Sequence, residues 1–452
     1  NINKVSDDSN IIKKCGTTIT LGASGDSIAL ASGASQTGFG REGSVNWQTS
    51  IKTSGFTAAN GEGYFVDTTS GAITVNLPSA SVGNIVAFKD YKGNFQNNNL
   101  TILPNGTDKI DGINGNAIIS TENAAITLVF ADSTRGWLNV NDSTSVEGAS
   151  FITATGGTIT TVCTNFKVHT FTGPGTFCVS AGAGPLAVVD YLVVAGGGGG
   201  GFERGGGGGA GGYRESPGAA SGCYSVSPLG ASPAAAIPIV PGAIPVTVGA
   251  GGALAPARGT AAPSGSSSVF AGSTPITSAG GGGGASHPPA KNPGVPGGSG
   301  GGALHQCGCF SGGTGNTPPV NPPQGNNGGA VTAPAGSGYY NASGGGGATA
   351  VGGPSSGSSQ AGVGGAGATS SINGTPTARA GGGGGGGNNA PGVQPGGTGG
   401  GGAGGEYTTP AVAGTANTGG GGGGGPGCRP SPSDFIGAAG GSGIVIIRYK
   451  FQ

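Results

Sequence analysis

Few side chains in this chain are equipped for chemistry, and each set has a plainer use beside it. The run His305-Gln306-Cys307-Gly308-Cys309 could supply three soft ligands to a metal ion. The same two cysteines, with Cys223 and Cys428, could instead staple loops as disulfides. Clustered cysteines outside cells more often pair, so no metal is assigned. Asn105, Asp108, Asp111 and Asn114 make an oxygen-rich stretch, but the bidentate glutamate that closes a calcium loop is missing. Turn formation by Asx residues is the simpler reading there. Cleaving a sugar chain needs two carboxylates about 5–10 Å apart. After Asp190 only Glu203, Glu215, Glu406 and Asp434 remain, scattered among separate segments. With three histidines and no serine-centred elbow, a nucleophile-and-base site has no support either. Gly-x-Gly-x-x-Gly recurs by chance in so glycine-rich a sequence, and no Gly-Lys-Ser/Thr follows it. The expectation is no enzyme, no catalytic residue and no cofactor.

The elements that would position any site are dominated by glycine. Uninterrupted runs occur at 196–201, 205–209, 280–284, 381–387 and 419–425, and only 24 of the 108 glycines precede Ala195. Glycine is not strictly every third residue, so a collagen triple helix is excluded. Disorder is disfavoured because charged residues are only 8% of the chain and aromatic or aliphatic segments alternate with the runs. Two β-branched strands, expected at 189–194 and 444–449, bracket the region and read as neighbours that close it. Glycine runs have one ordered option. As polyproline II-like helices of three residues per turn, they can pack side by side and satisfy each other's N–H and C=O groups. Ordering such backbone costs ~1–2 kcal/mol per residue, so only a dense lattice of mutual hydrogen bonds offsets it.

The chain has 452 residues and formal net charge +0, which argues against nucleic-acid binding. No apolar run is long enough to span a bilayer, so no membrane insertion is expected. It begins at Asn1 and lacks methionine, so the lack of a signal peptide carries no information. Cys163 and Cys178 flank an expected hairpin, 165–172 and 176–180, around Gly173-Pro174-Gly175. A disulfide between them is the reading adopted, with two buried thiols as the alternative; Cys15 is left over.

The fold class expected is all-β, in four parts. Residues 1–44 form a β-helical or prism-like stem, from a weak nine-residue repeat over 17–40. Residues 45–142 form a β-domain with strands near 63–68, 72–77, 84–91, 100–103, 117–120, 125–131 and 137–140. Residues 143–188 form a β-hairpin module, and 189–452 a polyglycine II helix sandwich closed by the two strands. A short stem cannot bury its apolar face alone, so chains are expected to associate, most simply as a homotrimer.

The run from Gly63 to Pro78, followed by Asp90-Tyr91 and Lys109-Ile110-Asp111-Gly112, resembles a β-domain of tail-fibre proteins of marine bacteriophages. Lys167-Val168-His169-Thr170-Phe171-Thr172-Gly173, the strand leading into the first glycine run, and the closing Gly443–Tyr449 resemble the same glycine-rich fibre family. The resemblance implies a virion fibre, trimeric, joined to other virion structural proteins at its N-terminal end. It also implies that loops at the tip of the glycine sandwich touch a host receptor, either polysaccharide or outer-membrane protein. Candidate contact residues are Tyr224, Phe310, Tyr339, Tyr340 and Tyr407, because exposed rings give large contact area at low entropy cost. The same rings could instead cap the edges of the lattice. A fibre in which the glycine region is only a stiff spacer, or an extracellular appendage, is the alternative.

Overall fold

The computed structural model describes residues 2–3, 10–15, 18–21, 45–141, 147–220, 222, 224–231, 236–255, 257–287, 293–304, 310–332, 341–356, 360–387, 393–407, 409–427 and 435–452. Its regular elements are β-strands with one short 3-10 turn, Gly184–Leu186, so the protein is all-β. At the N-terminus β1 (Ile2–Asn3), β2 (Asn10–Cys15) and β3 (Thr18–Leu21) form an antiparallel sheet. The rest of the repeat expected over 17–40 lies outside the described residues.

The next nine strands build a two-sheet sandwich. They are β4 (Asn46–Lys52), β5 (Phe56–Thr57), β6 (Glu62–Val66), β7 (Ile73–Asn76), β8 (Ile85–Asp90), β9 (Leu100–Leu103), β10 (Asn116–Ile119), β11 (Ala125–Asp132) and β12 (Gly136–Asn139). From β4 to β9 the chain alternates between the sheets. Strands β4, β6 and β8 pair in parallel in one, and β5, β7 and β9 pair in parallel in the other. The alternation of Ile73 and Val75 with Thr74 and Asn76 is what a pleated strand with one buried face requires, and the burial follows it. Between the sheets lie Tyr64, Val75, Leu77, Phe88, Leu100, Ile102 and Trp137, all buried. Each such side chain contributes about 1.5–3 kcal/mol by leaving water.

The remaining strands are β13 (Glu147–Thr155), β14 (Thr158–Val162), β15 (Phe166–Phe171), β16 (Gly175–Ala183) and β17 (Val188–Val194), then β18 (Tyr213–Glu215), β19 (Ile237–Pro238), β20 (Gly242–Thr247), β21 (Ser268–Phe270) and β22 (Ile276–Ser278). A small hairpin of β23 (Ala368–Ser370) and β24 (Thr377–Arg379) precedes the last strand, β25 (Ile444–Lys450). The two strands expected to bracket the glycine region do pair: β17 and β25 run antiparallel from Asp190 opposite Arg448 to Val194 opposite Ile444.

The expected hairpin of 165–172 with 176–180 does not form. Strand β15 pairs with β14 and β25, whereas β16 pairs with β13 and β20 in a different sheet. The turn Gly173-Pro174-Gly175 hands the chain from one sheet to the other. Cys178 therefore sits in register between Thr155 and Ala243, while Cys163 lies in the turn after β14. The disulfide expected between them is replaced by two thiols, both exposed, with Cys163 Sγ 3.9 Å from Arg448 Nη2.

Beyond Val194 the glycine runs form neither helix nor β-ladder, yet their backbone groups are satisfied with a three-residue period. Along residues 196–201 the N–H groups donate in turn to the carbonyls of Ser266, Gly441, Gly209, Pro263, Ala438 and Gly206, at 2.8–3.1 Å. Residues three apart thus share one neighbouring segment, and the falling numbers make all three neighbours antiparallel. Along residues 205–212 the acceptors are Gly425, Ala285, Ser343, Gly422, Gly282, Gly346, Gly419 and Ala279, again three segments visited in rotation. Their own carbonyls accept from three further segments, for example from Gly386 and Gly383 at Gly205 and Gly208. Each central segment therefore has six bonded neighbours. Glycine is obligatory there because of close approach: a Cβ on Gly208 would stand 2.1 Å from the Gly198 oxygen, and one on Gly197 2.2 Å from that of Gly420.

Candidate functional site

The hydrogen-bond directions sort the connections of the lattice into two ends. Segment 196–201 leaves the β17–β25 clasp, and its antiparallel neighbour 206–212 returns to it. The turn at 202–204 therefore lies at the far end. Gly281 and Gly284 donate to Gly196 and Gly199, so 281–284 also runs outward, and the partners of each further segment fix its direction in the same way. The connections at 257–261 and 406–409 close at the far end. So do the described residues that flank 288–292, 305–309, 333–340, 388–392 and 428–434. At the clasp end lie β18 to β24 and the turns near 316–324, 398–400 and 415–418.

This division separates the aromatic candidates. Tyr407 is half exposed on a tight far-end turn, where Glu406 and Thr409 exchange backbone bonds of 2.8 and 2.9 Å. Phe310 is partly exposed at the same end, its carbonyl accepting from Val331 N–H at 2.9 Å. Tyr339 and Tyr340 lie outside the described residues, between Thr332 and Asn341 of that end. Tyr224 is a correction: it belongs to the clasp end and points inward. Its hydroxyl is 3.2 Å from Ser216 Oγ, which donates to Asp190 at 2.8 Å, and its ring lies 5.0 Å beneath the buried Arg448 guanidinium. Burial first, and the neighbouring Asp190 second, raise its phenol well above the usual tyrosine range. A ring so engaged braces the clasp rather than meeting a partner.

Polar groups to which the sequence reading assigned no bracing role hold both ends. At the clasp end, buried Glu215 accepts from Ser370 Oγ, from Tyr213 OH at 2.9 Å and from Ser227 N–H at 3.0 Å. His169 is fully buried, with Nδ1 2.7 Å from Gly156 O and Nε2 3.0 Å from Tyr449 OH. Burial lowers the His169 pKa and pushes Tyr449 up to about 12. At the far end, Glu203 is buried in the 202–204 turn and faces Arg258 at 2.6 Å, His287 at 3.5 Å and Arg204 at 3.8 Å. Phe202 and Phe435 cross over one another beside it, with ring centroids 6.3 Å apart. Only the isolation of Glu203-Arg204 between two glycine runs could have marked this cluster in advance.

Two of the scattered carboxylates are kept apart. Glu203 and Glu215 sit at opposite ends of segment 205–212, ~25 Å at roughly 3.1 Å per extended residue, against about 5–10 Å for a glycosidase pair. Asp434, like His305, Cys307 and Cys309, lies outside the described residues. Asp108 and Asp111 serve turns: Asp108 N–H bonds Asn105 O at 3.0 Å, and Asp111 pairs with Arg135. Among the described residues, no helix is long and apolar enough to cross a membrane.

Residues 170–450 match the family model described as a glycine-rich domain. The chain belongs to this family. The glycine-rich domain so matched begins in β15 and ends at the last residue of β25, so it takes in both strands of the clasp and the whole lattice between them. Residues 3–146 match a second model, the N-terminal part of bacteriophage T4 gp9/10-like protein. A comparison with curated proteins found no match. The two family matches together support a phage tail-fibre-like structural protein.

Proposed function

We propose that this chain is a virion tail fibre, of the kind met in marine phages, whose glycine-rich domain carries host-recognition loops on its far end. In this reading the central glycine segments are polyglycine II helices. Their three-residue hydrogen-bond rotation and six-neighbour packing support that assignment. The observation that carries the functional reading is the division of the connections. One end is tied into β-sheet, and the other ends in loops that carry Phe310 and the half-exposed Tyr407. The lattice is chemically silent and stiff, so its use is to hold those loops apart and forward. The N-terminal region joins the fibre to other virion structural proteins, the chain associates as a homotrimer, and it performs no catalytic step. The receptor is a polysaccharide or an outer-membrane protein of the host.

Exchanging the far-end connections between related phages, while keeping the glycine segments, tests this. A host range that follows the exchanged loops is expected. Unchanged host range on particles that assemble normally would instead make the glycine domain a spacer.

A further inference from the structure

Among the described residues, the far end of the lattice holds a concentration of charge around one turn. Glu203 and Arg204 both take left-handed backbone, with φ of 42° and 55°, in the turn joining the two central segments. Glycine is the natural occupant of such positions, and glycine runs lie on both sides of Phe202-Glu203-Arg204. Two charged residues held there despite the strain point to a use for their side chains. The Glu203 carboxylate is buried, with 7% of its side chain exposed, and three basic side chains converge on it. Arg204 and His287 are largely covered, at 14% and 13%, whereas Arg258 is 58% exposed. The positive group of this cluster that solvent reaches is therefore the Arg258 guanidinium. Glu203 holds Arg258 by Nη2 at 2.6 Å, and the planar fork has further N–H donors to offer outward. The loops around the cluster are cross-tied. Glu203 N–H bonds Phe435 O at 2.8 Å, His287 N–H bonds Phe202 O at 3.1 Å, and Gly259 N–H bonds His287 O at 3.1 Å.

We infer that Arg258, oriented by the buried Glu203, is an oxyanion-binding site that takes a carboxylate or phosphate carried on an acidic surface polysaccharide. A guanidinium paired through one nitrogen keeps other N–H donors with which to meet a planar or tetrahedral oxyanion by paired hydrogen bonds, and the pairing reduces the entropy lost in doing so. The inference rests on the reading that the far end faces the host, and it narrows the receptor to acidic glycans.

The test uses the full chain at low salt, where charge pairs are least screened, against immobilised polygalacturonate, its neutral methyl ester, and phosphorylated mannan. Binding to one or both acidic polymers but not to the ester is expected, and the polymer preferred names the anion. Arg258→Gln should weaken that binding roughly tenfold, the loss of one charge-assisted contact, in a chain whose cooperative melt shows that it remains folded. Equal binding by wild type and Arg258→Gln, or no binding of wild type to either acidic polymer, overturns the site. The parent reading is followed separately by binding to susceptible host cells. Cell binding that persists in Arg258→Gln but is lost on exchanging the far-end loops removes the anion site alone. Cell binding indifferent to both changes removes the parent reading as well.

Discussion

The sandwich of residues 45–141 and the lattice of residues 195–443 reach ordered structure by opposite means. In the sandwich, side chains decide: Phe88, Leu100, Ile102 and Trp137 fill the space between two sheets, and the backbone is paired only within each sheet. In the glycine segments of the lattice there are almost no side chains to pack, and backbone meets backbone on all sides. The first leaves water by burying apolar area; the second trades a large entropy cost for a saturated network of N–H···O=C bonds. The lesson is that a core can be built from main chain alone, provided glycine stands wherever a Cβ would point into a neighbouring backbone.

That contrast is most directly broken by adding one methyl group. Gly208→Ala would put its Cβ 2.1 Å from the Gly198 oxygen, with neighbours on every side that cannot retreat. The cost should exceed the ~1–3 kcal/mol of ordinary overpacking, and loss of the cooperative melt of the glycine-rich domain is the expected result. A mild, cavity-like response would show that the lattice yields as side-chain cores do. The counterpart in the sandwich is removal of atoms: Phe88→Ala should cost about 3–5 kcal/mol by leaving a cavity beside Tyr64. Because β10 and β13 join both regions in one nine-stranded sheet, calorimetry of that variant also reports whether the two melt together.

A smaller effect concerns pH. His169 is buried and neutral, with its pKa held below the ordinary value of 6.5, so the unfolded chain binds its proton more readily than the folded one. Stability from this group is therefore complete above pH 6.5 and declines as pH falls from there towards the lowered folded value, by at most about 1.4 kcal/mol per pH unit. His287, lowered by burial as well, contributes with the same sign. His169→Gln should flatten the slope of melting temperature against pH in that range, and an unchanged slope would assign it to other groups. The smallest effect should come from Gly173→Ala. A Cβ there meets nothing within 4 Å, so the change should be neutral or stabilise by about 0.4–1 kcal/mol through the unfolded chain. Set beside Gly208→Ala, it separates glycines needed for packing from those that are not.

Much of the fold is legible in the residues themselves. The strands expected near 63–68, 72–77, 84–91, 100–103, 117–120, 125–131 and 137–140 fall within two residues of β6 to β12, because alternation and turn residues are local signals. Strand β4 escapes such reading: its pattern is mostly exposed and carries no clean alternation. The order of the glycine runs is readable from the two bracketing strands and the scarcity of charge. Pairing across sheets is not, and the 165–180 hairpin is the instance. Nothing local tells a chain whether a Gly-Pro-Gly turn folds it back on itself or passes it to a second sheet. The charged cluster at the far end is hidden for a similar reason, since Glu203, Arg258 and His287 are far apart in the chain and meet only through the lattice.

By itself the sequence determined that the protein is all-β and that its glycine region is ordered and closed by β17 and β25. Composition and periodicity carry that much because burial and backbone satisfaction constrain them directly. Tertiary structure alone decided which glycine faces which carbonyl, which loops share the far end, and that Glu203, Arg204, Arg258 and His287 meet there. The physical reason is that glycine has no side chain with which to encode a partner. Register in the lattice is set by closure of the whole network, and the placement of the described charged and aromatic residues between the runs follows from it.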